Sequence, residues 1–148
     1  MKTEIERKFL VKSNSFKQEA DSQHRIFQGY LSKDRERTVR VRVKDQKGWL
    51  TVKGKSNQGG TSRLEWETLI PLEEARALLK LALGEPIEKI RYVVPCGELT
   101  FEVDVFLKPK NNLILAEIEL PKANTQFKKP EWLGEEVTGN PSYYNSTM

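Results

Sequence analysis

Cysteine and histidine are almost absent: the 148 residues hold one of each. A lone Cys96 rules out an internal disulfide. It falls in a Pro95-Cys96-Gly97 stretch that reads as a turn, with nothing nearby to activate a thiolate. His24 precedes Arg25 in a mixed stretch and reads as structural, because no Ser-His-Asp or Cys-His arrangement can be built around it. Zinc chemistry is disfavoured as well, since the ligands on offer are carboxylates. No glycine-rich phosphate loop of either common type occurs. No stretch reaches the apolar length of a membrane span, which argues against a membrane partner. The first residues lack a signal peptide's apolar segment, and together these absences fit the cytoplasm.

Charge is what the chain has in quantity. Charged residues make up 31% and hydrophobic residues 37%, within the range of a globular protein. The length suits one domain over 1–148 with a real core. The net charge is +4 and the pI about 9.1. A basic balance can signal nucleic acid, but here the bases form no run or helical stripe. They are spread through the chain and interleaved with acids, which suits a compact polyanion held with metal ions better than a long duplex.

The charges fall in a repeated pattern. Glu4, Glu6 and Lys8 stand at spacing two, with Ile5 and Phe9 between and beyond them. On a strand, such residues share one face. Arg40 and Arg42, Lys53 and Lys55, Arg63 with Glu65 and Glu67, Lys89 and Arg91, Glu102 and Asp104, and Glu117 and Glu119 repeat the spacing against apolar neighbours. A sheet with one wet face and one core face explains any single run. The whole set points further, because solvated faces normally mix in Thr, Ser, Gln and Asn. The expected fold is mainly β, with a few helices: a sheet curved into a closed barrel with a charged lumen. Its apolar residues then face outward, under helices or a partner subunit, and a homodimer is one expected assembly.

Strand signals cover roughly 3–12, 24–32, 38–45, 49–56, 63–70, 88–95, 99–107 and 113–120. Turn composition at Asp45-Gln46-Lys47-Gly48 and the short connections between the last three strands suggest an antiparallel meander. One helix is clear, opened by Pro71, with Glu73 and Glu74 in its first turn and Gly84 as its stop. Its stripe of Leu72, Ala75, Leu78, Leu79 and Ala82 is expected to cover the barrel's outer wall. Weaker helical signals lie at 13–20 and 122–127. The tail from Pro130 carries Trp132, Val137, Tyr143 and Tyr144, so it is expected to pack.

Paired carboxylates at spacing two suit a hard divalent cation. Arginine and lysine suit phosphate, the first through bidentate contacts and the second as a point charge. Together they fit metal-assisted phosphoryl transfer. That chemistry needs positive charge around non-bridging oxygens and little covalent help.

These residues resemble the CYTH superfamily, also called triphosphate tunnel metalloenzymes. The Glu-x-Glu-x-Lys signature is Glu4, Glu6 and Lys8. Further matches are Arg40-Val-Arg42, Lys53-Gly-Lys55, Glu65-Trp-Glu67, Lys89-Ile-Arg91, Glu102-Val-Asp104 and Glu117-Ile-Glu119. The tail, Gly134-Glu135-Glu136-Val137-Thr138 and then Tyr144-Asn145, is similar to short bacterial members. The resemblance implies a closed eight-stranded antiparallel β-tunnel that binds a small-molecule triphosphate with Mg²⁺ or Mn²⁺. It implies Glu4, Glu6, Glu117 and Glu119 as the leading metal ligands, and Glu65, Glu67 and Asp104 as further ones. Lys8, Arg40, Arg42, Lys53, Lys55, Lys89 and Arg91 are implied to hold the triphosphate, with Glu6, Arg42 and Lys89 carrying catalysis. For Lys89, a proton-transfer role and an electrostatic role are equally consistent. Arg63 and Glu102 are implied to balance charge in the wall. The expected activity is hydrolysis of inorganic triphosphate to pyrophosphate and phosphate. Adenylyl cyclase, thiamine triphosphatase and a non-catalytic polyphosphate or nucleotide binder are the alternatives, since fold alone cannot choose among them.

Overall fold

A computed structural model describes residues 1–148. Its strands are β1 (Lys2–Val11), β2 (Ser22–Ser32), β3 (Arg37–Lys44), β4 (Lys47–Gly54), β5 (Ser62–Ile70), β6 (Ile87–Cys96), β7 (Leu99–Lys108), β8 (Ile114–Glu119) and β9 (Leu133–Glu136). The sheet order is β5-β4-β3-β2-β6-β7-β8-β1-β9, and a β5–β1 pairing closes the first eight strands into an antiparallel barrel. All eight expected strands are present. The β3–β4 hairpin turns on Asp45 and Gln46, both at positive φ (54° and 62°), with Lys44 paired to Lys47. A two-residue loop with both φ positive matches the right-handed twist of the flanking strands.

The main hydrophobic core lies outside the barrel. Phe9, Val94, Phe101, Val103, Ala116 and Ile118 present one apolar wall of β1, β6, β7 and β8. Phe16 of α1 (Phe16–Glu19) and Trp132 before β9 cover it, and all three aromatic side chains, Phe16, Phe101 and Trp132, are fully buried. Their rings meet edge to face, Phe101–Trp132 at 5.1 Å and Phe16–Trp132 at 5.9 Å. Such pairs add to burial because the ring edge is positive and the face negative.

A second apolar group corrects the expectation that apolar residues all face outward. Tyr30, Ile87, Phe106, Leu115 and Val137 cluster together. Tyr30 pairs with Arg40, Phe106 with Lys89, and Leu115 with Asp104. Cross-strand partners share a face, so these three point inward with the charges. They cap one end of the lumen.

The helix expected over 71–84 is shorter, α2 (Leu72–Leu79). Its end tightens into i→i+3 bonds, and Leu83 N then donates to Tyr30 O at 2.8 Å, drawing the chain onto β2. Ala75 is fully buried against the outer wall. A Cβ on Gly48 would sit 2.5 Å from the Cβ of Ala75, and one on Gly29 2.6 Å from that of Ala82. Helix and wall therefore meet through their smallest residues. No helix forms over 122–127; a turn at Lys122–Thr125 gives way to extended chain that sets Phe127 against Phe9 and Phe101. Cys96 ends β6 rather than sitting in the turn, which falls on Gly97 at φ 62°.

Strand β9 is the one strand the pattern did not predict. It pairs with β1 opposite β8: Phe9 faces Ala116 on one side and Glu136 on the other. Gly134 permits this, since a Cβ there would lie 2.9 Å from Leu10 O. Arg7 clasps the strand, donating to Glu136 through Nη2 at 2.6 Å and Nε at 2.9 Å. These bonds, with Thr138 and the Arg7 charge, hold the Glu136 carboxyl below its ordinary value. A depressed carboxyl contributes stability above its unfolded pKa and loses it as pH falls through the folded one. Glu136→Gln should therefore melt below wild type at pH 7, by about 1 kcal/mol or less for so accessible a pair. The gap should close as pH drops below about 4. A gap that persists into acid would show that the carboxylate charge is not what holds β9.

Candidate active site

The register decides which side chains share the inside. Arg42 lies across from Gln28, Arg40 from Thr51, Thr51 from Glu67 and Lys53 from Glu65. Arg91 lies across from Asp104, Glu102 from Glu117, Lys8 from Glu117 and Glu6 from Glu119. These pairings put the spaced charges on one face, as the sequence pattern requires. They surround a cavity of roughly 730 Å³, counting the water at its mouth. Seven basic side chains line it, Lys8, Arg40, Arg42, Lys53, Arg63, Lys89 and Arg91, against two carboxylates, Glu6 and Glu117. The excess is strongly cationic.

The other acids stand behind the bases or at the barrel's ends. Asp104 accepts from Arg91 at 2.8 and 3.0 Å and pairs with Lys89 at 2.7 Å. Burial alone would raise its carboxyl, but Arg91 and Lys89 outweigh burial and bring it down to about 2. Glu4 accepts from Lys53 at 2.9 and 3.1 Å, and Lys53 also lies 3.6 Å from Glu65. Glu67 accepts from Thr51 at 2.6 Å and from Arg40 at 3.5 Å. Glu119 is 58% exposed and pairs with Lys2. Glu102, 43% exposed, reaches Arg91 at 3.3 Å. Lys55 is exposed just past β4, in an outer vestibule shared with Arg35 and Arg63.

Glu6 and Glu117 behave as a pair. Burial, then Glu117 and Glu4, push Glu6 well above the carboxylate range. Burial also works against ionisation of Glu117, but Lys8, the Glu6 hydrogen bond, Arg91 and Lys89 hold it well below. Glu6 thus favours its protonated form beside an ionised Glu117. A divalent cation can take that proton's place, so the donor set fits a metal. No three acids converge into a ready cage. Two carboxylates, completed by water and phosphate oxygens, are what Mg²⁺ usually accepts from a protein.

Two of the arginines are left short of partners. Arg40 Nε is buried with no hydrogen-bond partner. Such an orphan donor is costly unless a ligand satisfies it. Arg42 donates through Nε at 2.9 Å and Nη2 at 2.7 Å to the neutral Gln28 Oε1. Burial, with Arg40 and Arg91 close by, lowers its guanidinium to about 9. Lys89 lies between the charged cavity and the apolar cap, its Nζ 5.2 Å over the Phe106 ring. Burial lowers it to about 7 despite Asp104.

The C-terminal tail supplies partners that strand patterning missed. Lys8 Nζ donates to Tyr143 O at 3.1 Å and lies 5.8 Å over the Tyr144 ring. Asn145 Oδ1 accepts from Lys89 at 2.8 Å and Gln28 at 3.0 Å. Gln28, Thr38 and Thr51 likewise carry no charge signal in the sequence. The only available signal was Gln28 alternating with Phe27 and Gly29 in a strand that lacks a charge doublet. His24 is structural as expected, its Nδ1 2.8 Å from Asp45 and its Nε2 3.2 Å from Ser22.

A closed barrel whose inner wall carries these ordered charge pairs defines a class. The CYTH domain model matches residues 2–146, and the chain belongs to that family. It is 48% identical over 149 residues to an inorganic triphosphatase of Acetivibrio thermocellus, covering 100% of this chain and 94% of that one. It is 36% identical over 151 residues to an inorganic triphosphatase of Nitrosomonas europaea, covering 99% and 96%. A crystal structure of an inorganic triphosphatase superposes with a TM-score of 0.66 at 30% identity, covering 96% of this chain and 94% of that one. A Hippeastrum adenylyl cyclase candidate described as having a dominant triphosphatase activity superposes at 0.65 over 80% of each chain. At 18% identity it shows the fold alone. No helix is long and apolar enough to cross a membrane.

If the cavity is held open for an anion, ligand should stabilise the fold by mass action. Inorganic triphosphate with Mg²⁺, each far above its dissociation constant, should raise Tm more than either alone. At a hundredfold excess the gain is about 2.7 kcal/mol. An unchanged Tm under all three conditions would mean that the inner charges satisfy one another without ligand.

Proposed function

We propose that this chain hydrolyses inorganic triphosphate to pyrophosphate and phosphate inside the barrel, with Mg²⁺ or Mn²⁺ as the metal and residues 1–148 as one catalytic unit. The observation that carries this reading is the imbalance of seven bases to two carboxylates around one cavity. A compact polyanion with bound metal matches that balance, and nothing in the lining requires a base or sugar. The relatives named inorganic triphosphatase support the same substrate.

Glu6 and Glu117 would hold the metal, which when bound supplies charge neutralisation on the phosphate oxygens. The family resemblance also implies Glu4, Glu65, Glu67, Asp104 and Glu119 as ligands. In this arrangement they tune the bases they pair with, and could reach a metal only by leaving those pairs. Arg40 and Arg42 offer free guanidinium donors to the phosphates. Lys8, Lys53, Lys89 and Arg91 add charge around them, and Lys55 with Arg63 guides the anion at the mouth. Water attacks the terminal phosphorus, the bridging P–O bond breaks, and the leaving pyrophosphate takes the electron pair. Lys89, with its ammonium near 7, can hold a proton beside the developing charge or pass one to it.

The test is a substrate panel with Mg²⁺ and with Mn²⁺: inorganic triphosphate, ATP, thiamine triphosphate and pyrophosphate, assaying phosphate and cyclic AMP. Inorganic triphosphate should turn over fastest and pyrophosphate poorly. Faster ATP or thiamine triphosphate hydrolysis would reassign the substrate, and cyclic AMP as main product would reassign the reaction. Arg42→Ala should lower kcat by about 10²–10³, the usual loss for one charge-stabilising donor. A change in Tm without a change in kcat would make Arg42 structural.

A further inference from the structure

Of the four arginines on the inner face, Arg42 alone touches no carboxylate; Arg63 lies 3.9 Å from Glu4. Arg91 is neutralised by Asp104 and Arg40 touches Glu67. Arg42 instead meets the side-chain amide of Gln28, which is completely buried. The orientation of that amide is forced by chemistry. Guanidinium and ammonium groups only donate, so Gln28 must present Oε1 to Arg42. Its Nε2 is then left to donate to Asn145, whose Oδ1 must likewise face Lys89. Lys89, fully buried, and Arg42, on the cavity wall, are thus tied together through two amides, with no carboxylate added.

We propose that Gln28 is a positioning residue that fixes Arg42 in its phosphate-binding pose while leaving its charge uncompensated. The inference rests on the triphosphatase reading. Gln28 takes hydrogen from the Nε edge and from Nη2, so Nη1 and the outer hydrogen of Nη2 stay free for an anion. A glutamate of the same shape would hold the guanidinium equally well and neutralise it. Phosphate would then have to compete with a built-in carboxylate. An aliphatic residue would leave the charge but lose the orientation.

The test compares wild type, Gln28→Glu, Gln28→Leu, Arg42→Ala and the Gln28→Leu/Arg42→Ala double variant. Turnover of inorganic triphosphate with Mg²⁺, calorimetric binding of the same anion, and Tm are measured on each. Gln28→Glu gains an ion pair with Arg42 and loses the donor to Asn145 Oδ1, so Tm should stay near wild type, while KM and the dissociation constant rise by about tenfold or more. Gln28→Leu should lower kcat in the wild-type background and cost little more once Arg42 is gone. Non-additivity of that kind is the mark of two residues acting as one. Wild-type affinity in Gln28→Glu would overturn the proposal. So would an equal loss from Gln28→Leu in both backgrounds, the signature of a merely structural glutamine. If wild type binds the anion but does not cleave it, the triphosphatase reading fails, and the binding arm still decides the role of Gln28.

Discussion

Buried cations without enough buried carboxylates are the constraint on which the molecule turns. Unit charges about 4 Å apart interact by about 4 kcal/mol at the effective dielectric typical near a protein surface. Packing Arg40, Arg42, Lys89 and Arg91 around one cavity is therefore expensive. The structure offsets part of this with Asp104 and Glu67, one layer behind the bases. It leaves Arg42 and the Arg40 Nε uncompensated. A ligand bearing several negative charges removes that cost on binding, so the same feature that burdens the empty fold favours the complex.

Such an interior cannot also be the hydrophobic core, and the apolar residues are placed accordingly. One set forms the outer wall of β1, β6, β7 and β8 under Phe16, Phe127 and Trp132. Another caps one end of the lumen, where the Phe106 ring lies 5.2 Å from the Lys89 ammonium. The position of Lys89 at this boundary explains why burial lowers it so far. Strand β9 and the tail join the two regions. Trp132 belongs to the outer core, Val137 to the cap, and Asn145 to the charged network.

The barrel was legible because charge alternation at spacing two survives in seven separate runs, and each run names its own inner face. Glu6, Lys8, Arg40, Arg42, Lys53, Lys89, Arg91 and Glu117 could be placed on the cavity from that alone. Which acids face ligand and which face bases was not legible. Glu117 and Asp104 carry the same periodic signal, but cross-strand register leaves one at the cavity and the other behind Arg91. Register depends on turns and bulges between strands, which a single run does not encode. Strand β9 escaped because its four residues, Leu133 to Glu136, contain a glycine and no alternation. Gln28 escaped, and Asn145 stood only as part of the tail match, because uncharged amides do not stand out until their partners are known. The helix over 122–127 failed because the chain turns at Lys122–Thr125 and Phe127 then packs against Phe9 and Phe101.

The central claim is that the lumen takes a metal–triphosphate unit at the carboxylate pair and the uncompensated arginines. A crystal structure with Mn²⁺ and a slowly hydrolysed triphosphate analogue tests it most directly, using anomalous scattering to locate the metal. The account predicts manganese on Glu6 and Glu117, with phosphate oxygens on Arg40 Nε and on the free edge of Arg42. Manganese or analogue bound only outside the barrel, with the Glu6–Glu117 pair and the Arg42–Gln28 contact undisturbed, would contradict it.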